Sequence, residues 1–62
     1  MPTEYDVLIV DDDAIQANLL QETLQDLGYS ARVLSDGSRV LDEVRRAMPR
    51  LVILDIIMPG AD

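Results

Sequence analysis

The chain has 62 residues and a formal net charge of −7, from 12 acidic and 5 basic side chains. This length allows at most one small domain of marginal stability, and this charge argues against nucleic acid or an anionic membrane as a direct partner. Because Cys and His are absent, the sequence excludes disulfides, thiolate metal sites and imidazole chemistry. No signal peptide is evident and the aliphatic runs are too short to span a bilayer, so a cytoplasmic location is expected.

The first half of the chain predicts a strand followed by a helix. Residues 5–10 form a continuous β-branched and aliphatic run, which is typical of a strand buried on both faces in a parallel sheet. A helix is predicted over residues 14–27, with Gly28 as its C-terminal cap. Its predicted apolar face consists of Ile15, Leu19, Leu20, Leu24 and Leu27.

The second half repeats this order and adds a third strand. Residues 31–34 are β-prone, and Asp36 is a suitable N-cap for the helix that follows. Pro49 ends that helix, and residues 51–54 predict another buried strand. The predicted apolar stripe of the second helix consists of Val40, Leu41, Val44, Ala47 and Met48.

Strands that alternate with helices in this way indicate right-handed crossovers and a parallel sheet with helices on its faces. The predicted fold class is therefore α/β, a three-layer β-α-β-α-β arrangement.

Acidic residues follow two of the predicted strands. Asp11, Asp12 and Asp13 come directly after the first strand, and Asp55 comes directly after the third. If these strands are neighbours, their carboxylates converge at one edge of the sheet, where parallel α/β folds place their functional crevice. Each carboxylate pair at 4 Å would repel by about 4 kcal/mol at an effective dielectric near 20, so the cluster requires protons or a divalent cation.

An all-oxygen ligand set without His or Cys favours Mg²⁺. Magnesium commonly bridges carboxylates to phosphate, and an Asp can itself accept a phosphoryl group. Asp55 is the better candidate for that nucleophile, because Asp11 and Asp12 can hold the metal.

Simpler interpretations exist for each feature alone. Asp13 alone would suffice to cap the first helix, and the other two acids would then favour its positive end. Asp55 could be a carboxylate in a turn, and Met58, Pro59 and Gly60 are a typical turn sequence. The simpler interpretations do not explain why acidic residues follow both strands at matching ends, and this combination favours a functional site.

Two motifs, VLIVDDD at residues 7–13 and LVILDIIMPG at residues 51–60, combine an apolar strand with terminal acids. Together with LQDLGY at 24–29 and SDGSRVLDEV at 35–44, they resemble the receiver domain of two-component response regulators, which has a flavodoxin-like fold. The resemblance covers essentially the whole chain. It implies a signalling domain that accepts a phosphoryl group from a histidine kinase or phosphotransfer protein, and not an enzyme beyond that self-catalysed transfer.

The resemblance also implies roles for individual residues. Asp55 would be the phosphoacceptor, Asp12 a direct Mg²⁺ ligand, and Asp11 a ligand that acts partly through water. The backbone carbonyl of Ile57 would complete the protein ligands. Asp13 would be the helix cap.

The chain departs from the family pattern in its extent. Family receivers are longer and carry a hydroxyl residue, an aromatic residue and a Lys that have no counterpart here, so residues 1–62 resemble the front half of a receiver with impaired or no activity. In the family's 2-1-3-4-5 strand order, the third strand would then be an exposed edge. We expect this edge to pair with a second copy across a two-fold axis.

Two other functions remain open at this stage. LIVDDDA also resembles the motif of haloacid-dehalogenase-like phosphohydrolases, in which Asp11 would be the nucleophile and Asp13 the acid/base. That family favours another residue type at Ile15, and it does not explain the residues after Asp55. The third possibility is a self-assembling fold fragment without activity.

Overall fold

Three parallel strands form one sheet in the computed structural model, which describes residues 2–55. The strands are β1 (Val7–Val10), β2 (Ala31–Leu34) and β3 (Leu51–Leu54), in the spatial order β2-β1-β3. Val7 pairs with Ala31 on one side and with Leu51 on the other, so the two outer strands start level with β1. The predicted parallel sheet and the neighbouring positions of the first and third strands are confirmed.

Two helices cover opposite faces of this sheet. Helix α1 (Ala14–Asp26) packs on the face of Val7 and Ile9, whereas α2 (Val40–Ala47) packs on the face of Leu8 and Val10. A short 3-10 turn (Gly37–Arg39) leads into α2. The predicted three-layer α/β arrangement is therefore confirmed. No helix within residues 2–55 is long and apolar enough to cross a membrane.

The first strand is shorter than predicted, since β1 starts at Val7 and not at Tyr5. The backbone before it has other partners: the Glu4 N–H donates to the Ala47 carbonyl at the end of α2, at 2.9 Å. Tyr5 is nevertheless buried, with 9% of its surface exposed, and it joins the core on the α2 face. The apolar run thus predicted burial correctly but not the strand boundary.

The predicted apolar face of α1 is wrong at three of its five positions. Ile15, Leu19 and Leu27 are 76%, 60% and 68% exposed, while the inward face consists of Ala17, Leu20 and Leu24. Positions 17, 20 and 24 share one helix face, and fully buried Ala17 brings the helix backbone close to the sheet. The helix ends at Asp26, with Leu27 as its cap residue and Gly28 in the left-handed region at φ 96°.

The second helix also buries a narrower stripe than predicted. Val40, Val44 and Ala47 face the core, whereas Leu41 is 69% and Met48 44% exposed. Met48 is the C-cap, at φ 52°, and its N–H donates to the Val44 carbonyl. Pro49 disfavours helical geometry in the residue before it, so the helix ends at Ala47.

Asp6 joins all three strands at the amino-terminal edge of the sheet. Its N–H donates to the carbonyl of Ser30, and its own carbonyl accepts from the N–H groups of Arg50 and Leu51. The Asp6 carboxylate also accepts from the Ser30 N–H and hydroxyl, at 3.0 and 3.2 Å. The hydrogen bond from the Ser30 N–H above all, and that from the Ser30 hydroxyl, hold the pKa of the Asp6 carboxyl below its usual range. One residue thus fixes where β2 and β3 begin.

A polar cluster connects the N-terminal segment to α2. The Tyr5 hydroxyl donates to the Glu43 carboxylate, which also accepts from Arg46, and Arg46 in turn donates to Glu4. Burial and then the hydrogen bond with Glu43 raise the pKa of Tyr5 to about 12. The protonated phenol is therefore the form that the fold favours.

We expect the chain to lose stability between pH 10 and 12. The raised pKa of Tyr5 means that its stabilising contribution is complete below the ordinary value of 10 and disappears as the pH rises through about 12. A two-unit shift corresponds to about 2–3 kcal/mol. Urea unfolding across this range should show the decline in wild type and a smaller one in Tyr5→Phe. Tyr29→Phe, at an exposed tyrosine, is the control and should behave like wild type; an equal decline in all three would contradict the assignment.

Candidate functional site

Backbone hydrogen bonds place Asp11 and Asp55 at adjacent strand ends. The Asp11 N–H donates to the Leu34 carbonyl of β2 at 3.0 Å, and the Asp55 N–H donates to the Val10 carbonyl of β1 at 2.9 Å. Both residues therefore continue the sheet ladder by one step beyond the strands. The predicted convergence at the carboxyl edge follows from these bonds, because β1 and β3 are direct neighbours.

The carboxylates of Asp11, Asp12 and Asp55 form a cluster. Each offers one oxygen, and these three atoms lie within 4.8 Å of one another. Asp11 is buried, with 4% of its surface exposed, Asp12 is exposed, and Asp55 is half-buried. The structure thus brings together the three side chains that the sequence analysis proposed as a metal site.

Asp13 has a different environment from the other three acids. Its carboxylate accepts from the N–H groups of Ile15 and Gln16, at 3.1 and 3.3 Å, which makes it the N-cap of α1. Its own N–H donates to the Asp11 carboxylate at 2.9 Å. The prediction that Asp13 caps the helix is confirmed, and the cap at the same time orients Asp11.

Like charges at the cluster affect the protonation of Asp11. The hydrogen bond from the Asp13 N–H lowers the pKa of the Asp11 carboxyl, but burial, a hydrogen bond shared with Asp55 and the charge of Asp55 outweigh it. The net result is a pKa above the usual range. The repulsion between carboxylates that favours a proton on Asp11 would also be relieved by a divalent cation bound at this site.

A shallow pocket of about 200 Å³ lies beside the cluster on the α1 face. Its polar lining includes Gln16, which the sequence analysis did not single out. The signal was present, because a Gln three residues after an N-cap Asp is a recognised helix-start pattern. The lining residues are Ile9, Val10, Asp11, Gln16, Leu20, Ile53, Leu54 and Asp55.

The donor set suits a hard cation. Three carboxylate oxygens, one of them solvent-exposed, leave room for water ligands, as Mg²⁺ requires. The fourth predicted ligand, the carbonyl of Ile57, lies outside the described residues, and so do Met58, Pro59 and Gly60 of the predicted turn.

Comparison with known proteins adds independent support for the resemblance. The family model of the response regulator receiver domain matches residues 7–62. The DNA-binding response regulator MtrA of Mycobacterium tuberculosis (strain H37Rv) is 43% identical over 54 residues, which cover 87% of this chain and 24% of that protein. The probable transcriptional regulator ycf27 of Guillardia theta is 42% identical over 62 residues, covering 100% of this chain and 24% of that protein.

A more distant regulator also matches. The nitrogen assimilation regulatory protein NtrX of Azorhizobium caulinodans is 40% identical over 57 residues, or 92% of this chain and 13% of that protein. The chain thus spans 24% or less of the length of these three relatives, and no solved structure matches it significantly. The matched region includes both strand-end acidic motifs, and the chain belongs to the response regulator receiver domain family.

Proposed function

We propose that this chain is the phosphoacceptor part of a two-component receiver domain, in which Asp55 takes a phosphoryl group from a histidine kinase or phosphotransfer protein. Asp11, Asp12, Asp55 and the Ile57 carbonyl would hold Mg²⁺. The observation that carries the proposal is the approach of three carboxylate oxygens to within 4.8 Å at adjacent strand ends, in a chain of the receiver family.

Asp55 is better suited than Asp11 to act as the nucleophile. Asp11 is 4% exposed, and one of its oxygens accepts from the Asp13 N–H, so an incoming phosphorus atom has little access to it. Asp55 is half-buried, and its backbone N–H bonds to Val10. The strand therefore fixes the position of Asp55, which is one of the residues that line the pocket.

The transfer exchanges one bond for another. A carboxylate oxygen of Asp55 attacks the phosphorus, an aspartyl phosphate forms, and the donor nitrogen leaves with the electron pair of the N–P bond. Mg²⁺, when bound, would neutralise charge between the carboxylates and the phosphoryl oxygens. Asp11 and Asp12 keep their carboxylates at the edge of the site, and the Asp13 cap keeps Asp11 in place.

The hydrolase interpretation has weaker support. It requires Asp11 as nucleophile and Asp13 as acid/base. Asp11 is buried, and the Asp13 carboxylate accepts two backbone hydrogen bonds as the cap of α1. The position of Asp55 beside Asp11 would also have no role in that mechanism.

Phosphoryl labelling of the 62-residue chain tests the proposal. With Mg²⁺ and acetyl phosphate, the intact mass should rise by one phosphoryl group, and borohydride trapping should locate it at Asp55. Asp55→Asn should reduce the label to background, whereas Asp13→Asn should retain it, because Asn caps helices as well as Asp does. A label at Asp11 would contradict the proposed function. The absence of any label in a chain that NMR shows to be folded would also contradict it and would favour a fold fragment without activity.

A further inference from the structure

Gln16 lies in the first turn of α1, on the border of the helix face that contacts the sheet. It precedes Leu20 by four positions, so the two residues are neighbours on the helix surface. Leu20 packs against the sheet on the side of Val7 and Ile9, whereas Gln16 is exposed. The apolar contact of α1 with the sheet therefore gives way to a polar residue at the carboxyl edge.

Asp11 and Asp55 belong to the side of the sheet on which α1 lies. Both residues continue the backbone ladder by one step, and side chains alternate between the two faces along a strand. Asp11 follows Ile9 by two positions, Asp55 follows Ile53 by two positions, and both isoleucines pack on the α1 side. In agreement with this alternation, Asp11, Gln16 and Asp55 line one pocket of about 200 Å³.

Gln16 differs chemically from the other residues of this pocket. The described residues that line it are aliphatic or acidic apart from Gln16, which alone among them has side-chain N–H donors. The charges that act on the Asp11 carboxyl are those of Asp55 and Asp13, and both are negative. Among the described residues of the pocket, the side-chain donor available to an anion is therefore the Gln16 amide.

Backbone hydrogen bonds connect Gln16 to the acidic cluster. The Gln16 N–H donates to the Asp13 carboxylate at 3.3 Å, and the Asp13 N–H donates to the Asp11 carboxylate at 2.9 Å. These bonds fix the first turn of α1 relative to Asp11. Because both donors are backbone groups, a substitution of the Gln16 side chain leaves them available.

We propose that the side-chain amide of Gln16 donates a hydrogen bond to an oxygen of the phosphoryl group transferred to Asp55 and so promotes its uptake. This role rests on the proposed function. An amide is neutral, so it does not compete with Mg²⁺ for the carboxylates, yet its NH₂ group bonds anionic oxygens. Donors held beside a transferring phosphoryl group stabilise its charge, and the amide keeps its own protons throughout.

Initial rates of phosphoryl uptake from acetyl phosphate and Mg²⁺ test the proposal in the 62-residue chain. Gln16→Met removes the N–H donors but keeps an unbranched side chain of similar helix propensity. It should lower the rate at Asp55 by about tenfold, as expected for the loss of one hydrogen bond to an anion. Gln25→Met makes the same change at an exposed position of α1 outside the pocket and should keep the wild-type rate. Equal rates in all three chains would overturn the proposal and leave the proposed function in place.

Side-chain amide signals of the wild-type chain give a second test that requires no substitution at Gln16. With Mg²⁺ already present, acetyl phosphate should shift the NH₂ resonances of Gln16 and leave those of Gln25 unchanged. Asp55→Asn should abolish the shift. Unchanged Gln16 resonances in a chain labelled at Asp55 would overturn the proposal alone. A folded wild-type chain that takes up no label would overturn the proposed function and this proposal together.

Discussion

Mg²⁺ is expected to stabilise the folded chain at neutral pH, by about 2.7 kcal/mol at a hundredfold excess over its dissociation constant. The physical reason is that Asp11, Asp12 and Asp55 repel one another within 4.8 Å in the absence of a cation. Urea unfolding at pH 7, with and without Mg²⁺, measures the effect. The unfolded chain separates the same carboxylates, so it offers the ion no comparable site.

Variants at the cluster should separate metal binding from a general salt effect. Asp11→Asn should remove most of the stabilisation by Mg²⁺, whereas Asp26→Asn makes the same charge change at an exposed position of α1 and should retain it. Equal stabilisation of both variants would show that the ion acts by screening alone.

The metal-free chain should also respond to pH. Because the pKa of Asp11 is raised in the fold, the stabilising contribution of this carboxyl is present at low pH and decreases as the pH rises through the folded value. Asp55→Asn removes the neighbouring charge and should therefore stabilise the metal-free chain at pH 7. The residue proposed to carry the phosphoryl group is thus expected to reduce the stability of the metal-free fold.

Leu8→Ala is expected to destabilise the chain by about 2–5 kcal/mol. Leu8 is fully buried at the centre of the sheet, in contact with the core on the α2 face. A chain of this length has a total stability of only about 3–9 kcal/mol. A substantial fraction of the variant should therefore be unfolded at 25 °C, as measured by far-UV circular dichroism during urea titration.

Leu41→Ala is the control for this prediction. It removes the same atoms from a side chain that is 69% exposed, and its effect should stay within about 0.5 kcal/mol. Similar losses in the two variants would mean that β1 is not the centre of the core in solution.

The sheet and the acidic cluster could be predicted because both depend on local sequence patterns. The apolar runs around Leu8 and Ile53 indicate buried parallel strands, and parallel strands bring their terminal acids to one edge whatever the rest of the chain does. The role of Asp13 as a cap was predictable for the same reason. These features require no knowledge of how the helices lie on the sheet.

The features that the sequence did not predict depend on tertiary packing. Ile15 and Leu19 match a helical period as well as Leu20 and Leu24 do, and only the close approach of Ala17 to the sheet decides which face is buried. The contact between Tyr5 and Glu43 joins residues 38 positions apart. Such pairs exist only after α2 has packed across the sheet, so periodicity carries no information about them.

The bonds of Asp6 to both outer strands also bear on the order in which the chain folds. Joining Asp6 to Ser30 closes a loop of 24 residues, whereas joining it to Arg50 closes a loop nearly twice as long, at an additional entropic cost of about 0.5 kcal/mol. Docking of β2 onto β1 should therefore precede docking of β3. If β3 is the last strand to dock, the half of the site that contains Asp55 forms late in folding. If β3 is also the first strand to detach, transient opening of the native chain would separate Asp55 from Asp11 before the rest of the fold is lost.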